Sequence, residues 1–156
     1  MAVRRGDREV KEIGEIIRIM EGCDVCRLAF HGEDCPYILP LNFGMEVREG
    51  RITLYFHGAA EGTKYRLLAR DNRVSFEMDR GHELVFDRER GYCTMRYESV
   101  IGRGRLQVVE EEEKLPALSA LMAHYHGGDA AFNPAAIPRT TVLKLAVEEA
   151  TGKVKR

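Results

Sequence analysis

The sequence predicts an α+β fold, mainly β: a six-stranded antiparallel β-barrel, closed or nearly closed, with peripheral helices. Three observations carry this. Most apolar runs are short, strand-like and joined by hairpin turns such as Gly32-Glu33-Asp34 and Arg48-Glu49-Gly50. One run, Cys93 to Val109, is a long strand whose Gly102 and Gly104 mark a bulge or a close approach by another backbone or a ligand. The stretches with helical apolar spacing are few, so helices attach to the sheet at its edges. Closing the sheet also disposes of its own edges.

Each element follows from its local pattern. Asp7 is placed to cap a helix with Val10, Ile13, Ile17 and Met20 at helical spacing, ending near Gly22. Val25 to Phe30, Pro36 to Met45 and Ile52 to Phe56 read as three consecutive antiparallel strands. A short helix follows from Glu61 to Arg70, then a fourth strand from Val74 to Met78. The charged segment Asp79 to Gly91 reads as a surface excursion holding at most a short strand at Leu84 to Phe86, before the long fifth strand. The acidic run Glu110 to Glu113 suits a helix N-terminus ahead of Leu115, Leu118, Leu121 and Met122, with Pro116 fitting only the first turn. That helix should stop before Gly127-Gly128. Asp129 to Pro138 reads as a loop, and Thr140 to Val147 alternates into the sixth strand. On this reading residues 1–156 form a single domain without internal repeats.

Composition narrows the function. The chain is 44% hydrophobic and 31% charged, with 24 basic and 25 acidic side chains in near balance. This is an ordinary globular composition that predicts neither a nucleic-acid groove nor a membrane-binding surface. No apolar run approaches the roughly 18 residues of a membrane span, and the N-terminus lacks the apolar segment of a secretory signal. The expected location is cytoplasmic, with Cys23, Cys26, Cys35 and Cys93 as reduced thiols.

The most informative stretch runs from Leu54 to Leu68. Leu54 to Phe56 end a buried strand, Tyr65 to Leu68 begin an apolar helical face, and Gly58 and Gly62 lie in the turn between. A helix start offers unpaired N–H groups and the positive end of the helix dipole, an anion site to which Thr63 adds a hydroxyl and Lys64 a cation. The spacing Gly58-x-x-x-Gly62-Thr63-Lys64 matches neither a P-loop nor a dinucleotide fingerprint. From this stretch alone, a phosphorylated ligand and an ordinary connection with a solvated lysine both stay open.

Four motifs then occur in order: Pro36-Tyr37-Ile38-Leu39-Pro40-Leu41-Asn42-Phe43-Gly44, Leu54-Tyr55-Phe56-His57-Gly58-Ala59, Glu61-Gly62-Thr63-Lys64, and Tyr97-Glu98-Ser99-Val100-Ile101-Gly102-Arg103-Gly104. Together they resemble the pyridoxamine 5'-phosphate oxidase-like flavoproteins, most closely their 5-nitroimidazole-resistance (Nim-type) branch, over about Arg4 to Lys153. The resemblance implies an FMN-binding split barrel that dimerises with two flavins at the interface. It implies that Leu39, Pro40, Leu41 and Asn42 border the isoalloxazine ring, and that His57, Gly58, Ala59, Gly62, Thr63 and Lys64 hold the ribityl phosphate. Ser99, Val100 and Ile101 would reach the flavin from the partner subunit. The implied activity is reduction of a small substrate such as a nitroaromatic, with electrons from NADH or NADPH. Two departures argue against a true pyridoxamine 5'-phosphate oxidase: Thr63-Lys64 stands where those enzymes usually carry Arg-Lys, and the C-terminus lacks their Trp-containing substrate segment.

Other candidates divide between chemistry and structure. His57 is the expected catalytic residue, as a proton donor or a ligand of phosphate, against the reading that it only hydrogen-bonds in a turn. Cys23-x-x-Cys26 could be half a zinc site or a redox pair, but isolated Cys35 and Cys93 favour small buried hydrophobes, and no metal site is expected. His124 and His126 point away from each other on a helix. Arg103 and Arg105 either salt-bridge across the barrel surface or meet an anionic substrate. The alternative function is a haem- or flavin-binding carrier or sensor without turnover, in which haem would take His57 or His124 as axial ligand.

Overall fold

A computed structural model describes residues 4–126, 135 and 137–156. Its single sheet has the order β3-β2-β6-β7-β8-β5-β4, with the short β1 (Glu9–Val10) added to β8. The strands are β2 (Cys26–Phe30), β3 (Tyr37–Leu41), β4 (Gly44–Arg48), β5 (Arg51–Gly58), β6 (Arg73–Asp87), β7 (Tyr92–Val108) and β8 (Thr141–Lys155), all antiparallel. There are thus eight strands where six were expected, and the mainly-β α+β class holds.

One added strand comes from a division inside the expected run Pro36 to Met45. β3 pairs with β2 through Leu28 opposite Leu39, whereas β4 pairs with β5 through Met45 opposite Leu54. The two halves sit at opposite ends of the sheet order, yet only Asn42 and Phe43 separate them. Three Cα steps reach at most about 11 Å, so the sheet curls until its ends nearly meet at this strap. That is the seam of a split barrel. Asn42 and Gly44 flank the break, but Phe43 between them is a fully buried apolar residue that continues the apolar run.

The other corrections have equally local causes. Asp7 caps no α-helix: its carboxylate is held by the Arg5 guanidinium at 2.8 and 2.7 Å in a 3-10 turn. Glu9 and Val10 then join β8, and α1 runs only from Ile13 to Glu21 (Ile13–Glu21). The segment Asp79 to Gly91 is mostly strand, because β6 and β7 continue past the barrel as a two-stranded ribbon, exposed enough to accept charged residues. Pro116 is the sixth residue of α3 (Glu111–His126) and not in its first turn. Its missing N–H costs a bond at the carbonyl of Glu112, which is exposed. α3 is described as far as His126, and the expected stop at Gly127-Gly128, like most of the predicted loop Asp129 to Pro138, lies outside the described residues.

The barrel interior is filled by side chains such as Leu28, Leu54, Phe56, Phe76 and Leu145, plugged by Ile16, Ile19 and Met20 of α1 and by Leu67 of α2 (Thr63–Arg70). α1 is fixed in place by Arg18, which bonds Glu98 of β7, itself bonded to Arg80 of β6. α3 lies outside the barrel, with Ala117 and Leu118 packed on Val109 and Val142. Gly104 sits at a bulge between β7 and β8, where a Cβ would lie 2.0 Å from the Ala146 oxygen. The neighbouring arginines form surface ion pairs, Arg103 with Glu149 at 2.7 Å and Arg105 with Glu148 at 3.0 Å. Among the described residues no helix is long and apolar enough to cross a membrane.

Candidate functional site

The turn from β5 into α2 keeps the geometry its sequence implied. Gly62 precedes the helix with φ 133° and ψ 172°, a region that is essentially glycine-only. No side chain caps α2, so its first-turn N–H groups at Thr63 and Lys64 are available to a ligand. The Tyr65 N–H donates to the Gly62 oxygen at 3.2 Å, and the Tyr65 hydroxyl donates to the Ala59 oxygen at 2.7 Å, which fixes the loop. Lys64 folds back over this loop. Its Nζ lies 4.4 Å from the Tyr65 ring centroid and 3.2 Å from where a Cβ on Gly58 would stand, so a larger residue at 58 would crowd the ammonium.

No carboxylate among the described residues pairs with Lys64. The other cations of α2 are committed: Arg66 and Arg70 both bond Glu33 in the β2–β3 turn and tether the helix to the barrel. An uncommitted ammonium, a threonine and an uncapped helix N-terminus therefore lie together at one turn. Donors of this kind suit an anion.

The strap and His57 open on the same end of the barrel. Gly44 pairs with Tyr55, so Asn42, two residues before, and His57, two residues after, leave that ladder together. His57 is exposed, and its ring has no hydrogen-bond partner among the described residues. Of the expected ring-bordering residues, Pro40 and Asn42 are exposed, whereas Leu39 and Leu41 turn their side chains to the core and offer only backbone. Ile38, 62% exposed, lies on the same face of β3 as Pro40.

Ser99, Val100 and Ile101 are elsewhere. They pair with Lys153, Gly152 and Thr151 of β8, while Gly58 pairs with Thr141 of the same strand. Ten residues of strand amount to roughly 33 Å. Val100 is fully buried in the core, leaving Ser99 and the 42% exposed Ile101 on the outer face.

The cysteines are structural or isolated. Cys23 donates to the Ile19 oxygen at 3.2 Å, and burial pushes its thiol up to about 11; burial pushes Cys26 higher still. Cys35 and Cys93 are exposed, and no His, Cys, Asp and Glu cluster among the described residues is suited to a metal. His124 donates from Nε2 to the Cys23 oxygen at 2.8 Å with its ring 4.3 Å from that of Phe43.

The sequence profile described as "Pyridoxamine 5'-phosphate oxidase" matches residues 12–154. The chain belongs to the pyridoxamine 5'-phosphate oxidase family. No functionally curated protein matches the sequence. Among solved structures, this family member is similar to a candidate 5-nitroimidazole antibiotic resistance protein from Bacteroides thetaiotaomicron, with 32% identity over 94% of this chain and 86% of that one and a TM-score of 0.81. A flavocytochrome from Azotobacter vinelandii shares 20% identity over 99% of this chain and 72% of its own, with a TM-score of 0.81. An FAD and haem binding protein from Mycobacterium smegmatis shares 20% identity over 96% and 74%, with a TM-score of 0.80. The last two likenesses establish the fold.

Proposed function

We propose that this pyridoxamine 5'-phosphate oxidase family member is an FMN-dependent oxidoreductase, active as a homodimer, that reduces a small substrate such as a nitroaromatic with electrons from NADH or NADPH. The observation that carries this reading is the uncommitted Lys64 ammonium beside Gly58 and the uncapped start of α2. The turn fits a ribityl phosphate: the glycines leave room for the backbone to approach, and the donors are all of the kind an anion takes. FMN, when bound, supplies hydride and electron transfer to and from its ring.

The protein's own part is positional. Lys64, Thr63 and the first N–H groups of α2 would hold the phosphate, fixing one end of the cofactor. Asn42 and the free edge of β3 present amide and backbone groups where the ring's pyrimidine side would lie. His57, exposed between these two regions, is placed to hold a proton or an anionic group near the ring.

The homodimer is supported by the register of β8, on which Ile101 and Ser99 pair with Thr151 and Lys153 while Gly58 pairs with Thr141. The exposed apolar Leu84, Phe86 and Met95 extend the same outer face of β6 and β7 as Ile101, a surface suited to a second copy. The 32% identity to a candidate 5-nitroimidazole resistance protein supports the nitroaromatic assignment. Haem held by His124 is disfavoured, since its Nε2 is committed to the Cys23 carbonyl.

Anaerobic assay of FMN-loaded protein tests the activity. NADH or NADPH should bleach the flavin, and a nitroaromatic should restore its colour. Bleaching by neither donor would refute the enzyme reading and leave a flavin carrier.

A further inference from the structure

We propose that Tyr125, near the end of α3, is a positioning residue for the flavin site: it holds the Asn42–Phe43 strap, and with it the barrel seam, in the binding geometry. The inference rests on the site reading above. The strap has no ladder partner of its own, since β3 ends at Leu41 and β4 begins at Gly44. It is held from outside instead. The Tyr125 hydroxyl accepts from the Phe43 N–H at 3.1 Å and donates to the Asp24 carbonyl at 2.7 Å. The side-chain amide of Asn42 donates to that same carbonyl at 3.4 Å.

Two neighbouring contacts complete the grip. His124 bonds the Cys23 carbonyl while its ring rests on Phe43, and Gly44 lies so close to α3 that a Cβ there would stand 2.3 Å from the Leu121 nitrogen. The last turns of α3 thus clasp both the strap and the loop between α1 and β2, and one hydroxyl bridges the two.

The strap has two sides. Phe43 is buried in the core and anchors it, whereas Asn42 is exposed at the barrel end shared with His57. With so short a link, the direction of the Phe43 N–H and the placement of the Asn42 amide are not independent. Removing the Tyr125 hydroxyl unpairs the Phe43 N–H and takes one of two donors from the Asp24 carbonyl, leaving Asn42 free to swing away from the position the ring requires.

The test is a double-mutant cycle of Tyr125→Phe with Asn42→Ala, read as FMN dissociation constants from fluorescence titration. Hydrogen exchange of the Phe43 amide is followed in the flavin-free proteins. Tyr125→Phe should weaken FMN binding about tenfold when Asn42 is present and less than about twofold when it is Ala, and should speed Phe43 exchange about tenfold. Equal losses in both backgrounds would mean general loosening and would overturn the positioning role, as would wild-type affinity in Tyr125→Phe. Wild-type protein that takes up no FMN would overturn the site reading itself, and unchanged Phe43 exchange in Tyr125→Phe would overturn the clasp.

Discussion

Replacing Lys64 by Ala removes a side-chain cation at the β5–α2 turn that pairs with no carboxylate among the described residues. A unit charge about 4 Å from the ammonium interacts with it by about 4 kcal/mol at an effective dielectric of 20, before desolvation. Hydrogen bonds to charged groups retain about 1.5–3 kcal/mol of such energy. That corresponds to roughly a 10- to 150-fold rise in the FMN dissociation constant. The protein itself should lose little, since the ammonium's own contact is the Tyr65 ring at 4.4 Å, worth about 0.5–1 kcal/mol. The assay is quenching of flavin fluorescence, run in parallel with FMN and with riboflavin, which lacks the phosphate. Lys64→Ala should weaken FMN and leave riboflavin unchanged, and the FMN defect should shrink as salt rises. Equal weakening of both ligands, or of neither, would refute the phosphate assignment.

Three further perturbations follow from the geometry. Gly104→Ala places a methyl group 2.0 Å from a backbone oxygen and should cost about 1–3 kcal/mol, read as a lower urea midpoint. Glu98→Gln weakens the bridge between Arg18 and Arg80 and should cost about 1–3 kcal/mol at pH 7. Arg18, followed by Arg80, holds the Glu98 carboxyl below its ordinary value, so this stability is present above the unfolded carboxylate range and lost as pH falls through the folded value. Wild type and Glu98→Gln should therefore converge in acid melts once the pH has fallen below the folded value of the Glu98 carboxyl. Cys23 works in the opposite direction: its thiol is raised from 9.0 to about 11, so the folded state keeps its proton while the unfolded state releases it. Stability should fall as pH rises above about 9, and a thiol reagent at pH 8 should modify Cys35 quickly and spare Cys23 and Cys26 until the protein unfolds.

The uncapped turn from β5 into α2 was legible because it is local. A strand end, two glycines, a hydroxyl and a lysine must produce an uncapped helix start wherever that helix goes, and Gly62 to Lys64 do so. The bulge at Gly104 was legible for the same reason. The seam was not, since Pro40, Asn42 and Gly44 sit among apolar residues that continue through the buried Phe43, and the division shows in the pairing partners on opposite sides of the barrel. Nor was the β6–β7 ribbon: a strand exposed to solvent carries charges such as Asp79, Arg80 and Glu83, which in one dimension look like a loop. The clasp of Tyr125 on Phe43 joins residues 82 positions apart and leaves no spacing to read.

The most direct test of the central claim is the visible spectrum of the purified protein mixed with FMN and passed through gel filtration. The account predicts a flavin spectrum that travels with a dimer and is released on denaturation. FMN eluting entirely apart from the protein, or a Soret-dominated spectrum in place of a flavin one, would contradict it.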